Sequence, residues 1–311
     1  MTADLRPVPL RDAALISAVR LVESNGIAML YASDAGPLGS DLSLIRFNSG
    51  SPRIEQLGAL SPLPERPAWD AVAEGGGFSV VTTEAGSAIS GLAIRNTAGG
   101  ESAKVNRHDG FGVFGAPHFV KGGDRGPISS VALLDGETPV VLFPREADGG
   151  FGKYRKLETA VEGVVQDARL VRSGKGYSLF VKVMSIGSSA AARRQASGKV
   201  IYAGVLVYVP LDEDYRALEV PSRPLGGQLI IDFDVCAFND GVAVFATTPK
   251  GYVLAAGKLP GGVFAPGTWA EEPYQHPLAS PSLLPAGAKL YLAAIESTGA
   301  PDARVVLGRV P

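Results

Sequence analysis

The chain of 311 residues contains a single cysteine, Cys236, and only three histidines. One cysteine excludes an internal disulfide and any multi-cysteine metal site. Its place in the apolar run FDVCAFN marks it as a buried, inert thiol. Charge is scarce and balanced, with 29 basic against 31 acidic side chains and a net charge of −2. The long-range attraction that gathers phosphates or anionic lipid is missing, so neither nucleic acid nor a membrane surface is an expected partner. No run approaches the roughly 18 apolar residues of a transmembrane helix. The N-terminal MTADLRPVPLRDAALISAV carries Asp and Arg where a secretory signal is unbroken and apolar, which predicts a soluble, cytoplasmic protein. Familiar catalytic signatures are absent as well. There is no G-x-S-x-G elbow, no H-E-x-x-H, and no G-x-G-x-x-G after a strand, so serine-hydrolase, zincin and dinucleotide-dependent mechanisms have no local support. DGFG at 109–112 and DGGFG at 148–152 lack the Lys and Ser or Thr of a phosphate loop and read as turns.

What the chain has in quantity is apolar residues, at 46%, with 39 glycines and 23 prolines spread along its length. Those glycine and proline shares exceed the usual ~7% and ~5% and point to many short elements joined by tight turns. Runs of strand length recur between Gly, Asn, Asp and Pro: GIAMLYAS, GFSVVTTE, ISSVALL, YSLFVKVM, GVAVFATT and KLYLAAIES. A less regular apolar segment ending in a polar, Gly-bearing turn precedes each run, and a further strand follows it, as in DLSLIRFN, ISGLAIRN and GYVLAAGKLP. Six copies of one unit are present. A helix is the rival reading of AALISAVRLVES, and the repeat favours a strand there.

Aligning the polar entrance of each unit puts Ser17, Asp70, His118, Asp167, Asp234 and Ser280 in register, at intervals of 53, 48, 49, 67 and 46 residues. The long interval contains SIGSSAAARRQASG, residues 185–198, which reads as a mobile hairpin extension; its Arg193 and Arg194 form a solvated tip. A repeat near 50 residues built from strand pairs and glycine turns resembles the six-bladed β-propellers. The resemblance covers the whole chain and implies one all-β domain over 1–311 with four-stranded antiparallel blades. The units lie near 13–58, 68–106, 114–158, 164–220, 229–273 and 277–311 plus 5–10. Fourth strands are assigned to RIEQLG, AKVNRH, KYRKLE, YRALEV and TWAEEP. The sixth unit lacks one, and LRPVPL at 5–10 is expected to supply it and close the ring, removing two exposed sheet edges. No narrower family is indicated. The sialidase Asp-box S-x-D-x-G-x-x-W and the WD40 signature are absent, and the glycine doublets at 75–77, 122–123 and 226–227 lack the Tyr and Trp of kelch repeats.

In a propeller the first strand of each blade is innermost, so Asp70, His118, Asp167 and Asp234 would converge at one mouth of the channel. Like charges at short range need a cation or a proton between them. Carboxylates with an imidazole suit a divalent ion such as Ca²⁺, Mg²⁺, Mn²⁺ or Zn²⁺, and two carboxylates in different protonation states would serve as general acid and base. Trp69 beside Asp70 either offers a stacking face for a sugar or other flat ligand or packs between blades. Arg169, two residues after Asp167 and on the same side of its strand, would bind an anionic substrate group or balance the ring as a salt-bridge partner. His108 and His276 precede the third and sixth units and read as exposed loop residues. Five-bladed glycosidases and six-bladed lactonases are similar in drawing carboxylates to the channel, though this chain has a His where the former would offer a Glu. Two readings stay open: a hydrolase or lyase acting on a small polar glycoside or lactone at the channel mouth, and a non-catalytic propeller binding a glycan or protein partner. A third account, that these polar residues only accept backbone hydrogen bonds, competes with both.

Overall fold

A computed structural model describes residues 3–8, 10, 16–23, 26–34, 40–47, 53–56, 68–74, 77–84, 91–96, 102–104, 112–113, 115–121, 126–146, 150–184, 193–194, 200–259, 264–299 and 302–310. Among them there is no helix; the regular structure is strand. Six antiparallel sheets follow one another along the chain, and their innermost strands are Ile16–Glu23, Trp69–Glu74, His118–Phe119, Val165–Ser173, Asp232–Phe238 and Leu278–Ala286.

Each sheet is covered on both sides by its neighbours, so its strands read as nearly continuous apolar runs. Gly241–Thr247, for example, is buried at every residue. Six apolar clusters fill the six gaps between adjacent blades. One joins Val22, Leu30 and Leu44 of the first blade to Trp69 and Val80 of the second, and another joins Ile295 and Val305 of the sixth to Val19 and Met29 of the first. The Ile16–Glu23 segment shows why strand prevails over helix there. Val19 and Leu21 face the sixth blade while Ala18 and Val22 face the second, an alternation of two residues that a helix cannot deliver.

Tight turns close the inner hairpins. Gly174 and Gly287 sit at φ +60° and +59°, and Asn239 and Asp240 both take left-handed φ, 47° and 58°, the geometry of a two-residue turn that matches strand twist. The extension in blade 4 is a hairpin, pairing Arg193–Arg194 with Val200–Ile201; most of its length lies outside the described residues.

The fourth strands match expectation in four blades. In the fourth blade the outer strand is Leu229–Ile230, not YRALEV. There the Asp212 carboxylate accepts the amides of Asp214 and Arg216 at 2.9 and 2.8 Å, turning the chain back, so that only Ala217 and Ser222 bridge to the sheet.

Arg6–Pro7 pairs with Asp302–Val310, and the Val8 amide donates to the Val305 carbonyl at 2.8 Å, closing the ring as the sequence implied. Ala3 is buried among blades five and six and is held by the Tyr252 hydroxyl, which donates to its carbonyl at 3.0 Å. Gly308 makes room for this segment: a Cβ there would stand 3.1 Å from the Asp4 carbonyl oxygen and 2.8 Å from Leu5. Among the described residues no helix is long and apolar enough to cross a membrane.

A variant lacking residues 1–8 loses the burial of Ala3 and Val8 and this backbone pairing, a cost of about 3 kcal/mol. Its melting temperature by circular dichroism is expected to fall by roughly 5–10 °C; an unchanged melt would refute closure by this strand.

Candidate functional site

The inner strands bring Asp70, His118, Asp167 and Asp234 into one buried network around the channel. Arg20 of the first blade donates Nε to Oδ1 of Asp70 at 3.0 Å and Nη2 to the Trp69 carbonyl at 3.1 Å. Oδ2 of Asp70 accepts the Phe119 amide at 2.9 Å. Nε2 of His118 lies 3.1 Å from Oδ1 of Asp167, while its Nδ1 is 3.7 Å from Asp70, beyond hydrogen-bond reach. Oδ1 of Asp167 also accepts the Ala168 amide at 2.8 Å and Nη1 of Arg169 at 3.1 Å. Arg169 reaches on to the fifth blade, 3.6 Å from Asp234 and 3.8 Å from Asp232.

The last carboxylate is met from across the channel. Lys121 of the third blade donates Nζ to Oδ2 of Asp234 at 2.5 Å and to the Leu283 carbonyl at 3.3 Å, and the same oxygen of Asp234 accepts the Leu283 amide at 2.7 Å. Ser280 and Ser282 complete the circuit by accepting the Val19 and Leu21 amides at 3.1 and 2.9 Å. Ser280 also accepts Nη1 of Arg20 at 3.1 Å. Its φ of 49° sets it in the left-handed region, at the bulge that aims its hydroxyl at the first blade. Ser17 stands outside this circuit and donates to the Ala32 carbonyl of its own blade.

The electrostatics follow from burial and pairing. Burial alone would raise the Asp70 pKa, but the His118 ring, Arg20 and Lys121 outweigh it and hold the carboxyl well below its usual range. Asp167 is likewise held down, burial being overcome by Arg169, His118, Lys182 and the Ala168 amide. His118 is pushed below 6.5 by burial and by Arg169, against the pull of the two aspartates. It is therefore neutral, and its contact with Asp167 assigns the proton to Nε2. Burial pushes the Cys236 thiol up to about 12, in keeping with an inert core residue.

With Asp70 and Asp167 both ionised, neither is the protonated carboxyl that general-acid catalysis requires. The side chains of Arg20, Lys121 and Arg169 pair with the carboxylates of Asp70, Asp234 and Asp167. Among the described residues no group of three or more His, Cys, Asp or Glu is disposed to hold a metal. Arg169 acts as the salt-bridge partner within the ring. Trp69 is only 1% exposed, enclosed between blades one and two with the Arg20 guanidinium 5.6 Å from its ring centre, and a ligand could stack on it only after those blades part. His276 lies apart from the ring, 3.9 Å from the buried Glu296 that Arg304 also engages. His108 and the side chains of Arg193 and Arg194 lie outside the described residues. Arg20 and Lys121 were not foreseen. The signal was available, since each stands three residues after an aligned entrance residue, Ser17 and His118, in an otherwise apolar strand.

An open cleft of about 560 Å³ lies where the sixth blade meets the first. Half-buried Tyr291 and Phe47 line it together with the exposed Arg309, Arg6 and Asp4. Arg6 pairs with Asp4 at 2.7 Å, both largely in solvent. Its size falls within the ~300–1,000 Å³ of small-molecule sites.

Blades, interblade cores and closing strand define a six-bladed β-propeller. No family model and no curated protein matches the sequence. Among solved structures, the lectin of Aleuria aurantia bound to α-methyl-L-fucoside superposes with a TM-score of 0.60 at 9% identity, over 94% of this chain and 92% of the lectin. A Trypanosoma rangeli sialidase in complex with sialic acid gives 0.56 at 9% identity over 98% of this chain, which spans only 56% of the sialidase. A neuraminidase-like protein from a little yellow-shouldered bat isolate gives 0.52 at 10% identity, over 97% of both chains. Likeness at this identity establishes the fold.

Two outcomes test the ring. Asp70→Asn leaves Arg20 buried without its counter-charge and is expected to cost about 3–5 kcal/mol in chemical denaturation; an unchanged midpoint would show that the pairing contributes nothing. Below pH 6.5 the unfolded chain binds a proton at His118 that the folded chain refuses, so stability falls as pH drops from that value. A further loss sets in below 3.8, where the unfolded carboxylates protonate before Asp70 and Asp167. His118→Gln is expected to flatten the first part of a plot of melting temperature against pH and to keep the second.

Proposed function

We propose that the protein is a saccharide-binding propeller, without catalysis at its channel, and that the sugar seats in the cleft between blades six and one. The observation that carries this reading is the composition of the cleft, two half-buried aromatic faces beside guanidinium and carboxylate groups. A pyranose presents C–H groups on one face and hydroxyls around its rim. Aromatic rings cover the first by burying apolar area, and Arg and Asp meet the second with paired or charge-assisted hydrogen bonds. The neutralised channel supports the same reading by exclusion, since its carboxylates are already bonded to Arg20, His118, Arg169 and Lys121. The fold neighbours that carry sialic acid and a fucoside add that this architecture is used for sugars elsewhere.

The affinity expected of one shallow site is modest, with a Kd of roughly 0.1–1 mM for a monosaccharide. A glycan array followed by calorimetry on the best ligand tests the reading, with Tyr291→Leu as the variant that keeps apolar volume and removes the ring. The variant is expected to bind about 10-fold or more weakly. Wild-type affinity in Tyr291→Leu, or silence across the array, would sink the assignment. Hydrolysis of nitrophenyl glycosides or lactones that vanished in a still-folded Asp70→Asn variant would instead move the function to the channel.

A further inference from the structure

We infer that the saccharide taken by this cleft is acidic, its carboxylate or sulfate docking on Arg309 while its ring covers Tyr291. The inference rests on the saccharide reading of the same cleft.

Strand register carries the argument. In the sixth blade Tyr291 pairs with Arg309, Ala293 with Leu307, and Leu307 in turn with Arg6 of the closing strand. Residues directly opposite one another, and those two apart on one strand, share a face of the sheet. Tyr291, Arg309, Leu307 and Arg6 therefore form one continuous surface, with the two guanidiniums on neighbouring strands. Opposed residues in an antiparallel pair have Cβ atoms about 4.5–5.5 Å apart. An anionic group bound by Arg309 thus brings the atoms bonded to it over the phenol ring.

The charges point the same way. Arg309 is exposed and engages no carboxylate among the described residues. Among the described residues Arg6 is held only by Asp4, in a pair whose side chains are 80% and 71% exposed, so exchanging that partner for a ligand loses little. The cleft presents two guanidiniums against one carboxylate. A neutral sugar leaves that excess unmatched, whereas an acidic one gains a bidentate, charge-assisted contact about twice as strong as a neutral hydrogen bond. On a chain whose net charge is −2, this positive excess belongs to the cleft and not to the surface as a whole.

The test uses matched ligands that differ by one group: glucose against glucuronate, and N-acetylglucosamine against its 6-sulfate, with acetate and sulfate ions as sugar-free controls. Each is titrated by calorimetry into the full chain and into Arg309→Gln, an exposed site whose substitution leaves the fold intact. The acidic member of at least one pair is expected to bind about 10-fold tighter than the neutral one, with an advantage that shrinks as salt rises. In Arg309→Gln that advantage is expected to disappear. Equal binding of neutral and acidic members would overturn the inference and leave the saccharide reading standing. An acidic preference that survives Arg309→Gln would overturn the assignment to this residue. Free acetate or sulfate ions binding as tightly as the acidic sugars, with no neutral sugar bound, would overturn the saccharide reading itself.

Discussion

Hydrogen bonds between inner strands of successive blades set the geometry on which the rest of this molecule depends. Burial of apolar faces is non-directional, and flat sheets of Val, Leu and Ala can slide on one another with little change in buried area. The polar contacts remove that freedom. Arg20 to Asp70 spans 50 residues, and Asp70 to Phe119, His118 to Asp167 and Asp234 to Leu283 each span 49. An offset of 49 or 50 residues thus recurs at four of the six junctions and fixes those blades against one another. The interposed groups make the arrangement tolerable: carboxylates that would repel as a bare ring are separated by the cationic Arg20, Arg169 and Lys121 and by the neutral His118. A buried ion pair returns little net stability once desolvation is counted, so the network is better understood as setting register than as strengthening the core.

Much of this was legible in the sequence because a propeller repeats itself. Six strand-turn-strand units at a near-constant interval point to blade number and ring, and the missing fourth strand of the last unit points to LRPVPL. The polar residues at the strand entrances were recognised as a converging set, and they do converge. What the sequence pattern could not convey was who partners whom. Arg20 sits in ISAVRLVE and Lys121 follows HFV, and neither position shows that its side chain crosses to another blade. Lys121 reaches Asp234 over 113 residues of chain and two blades, a contact that only closure of the ring creates. Trp69 illustrates the same limit, since indole beside carboxylate looks alike whether the ring faces solvent or lies between two sheets. The outer strand of the fourth blade was misplaced because the Asp212 turn redirects a segment whose composition is adequate for a strand.

The charged groups of the channel are bonded mainly to one another. A ligand there must displace Arg20, Arg169 or Lys121 from a carboxylate, and those same bonds hold the blades in register. On the proposed reading, recognition moves outward, to positions where blades diverge and side chains are no longer shared. The junction of the sixth and first blades is one such place, and it differs from the other five interfaces in being completed by residues from both ends of the chain.

That shared construction would link the proposed binding to folding. Asp4, Arg6, Pro7 and Val8 line the cleft and also belong to the segment that closes the ring. A ligand bridging Arg6 and Tyr291, as proposed, would bind only the closed state, and by mass action it would stabilise closure in proportion to the logarithm of its concentration over its Kd. The glycine at position 308 serves both ends of this linkage. A side chain there would meet the Asp4 carbonyl and Leu5, lifting the closing segment and widening the cleft in one movement. If the proposed site is right, closure and recognition draw on the same few contacts, and ligand at the rim would reinforce the seam that the closing strand makes.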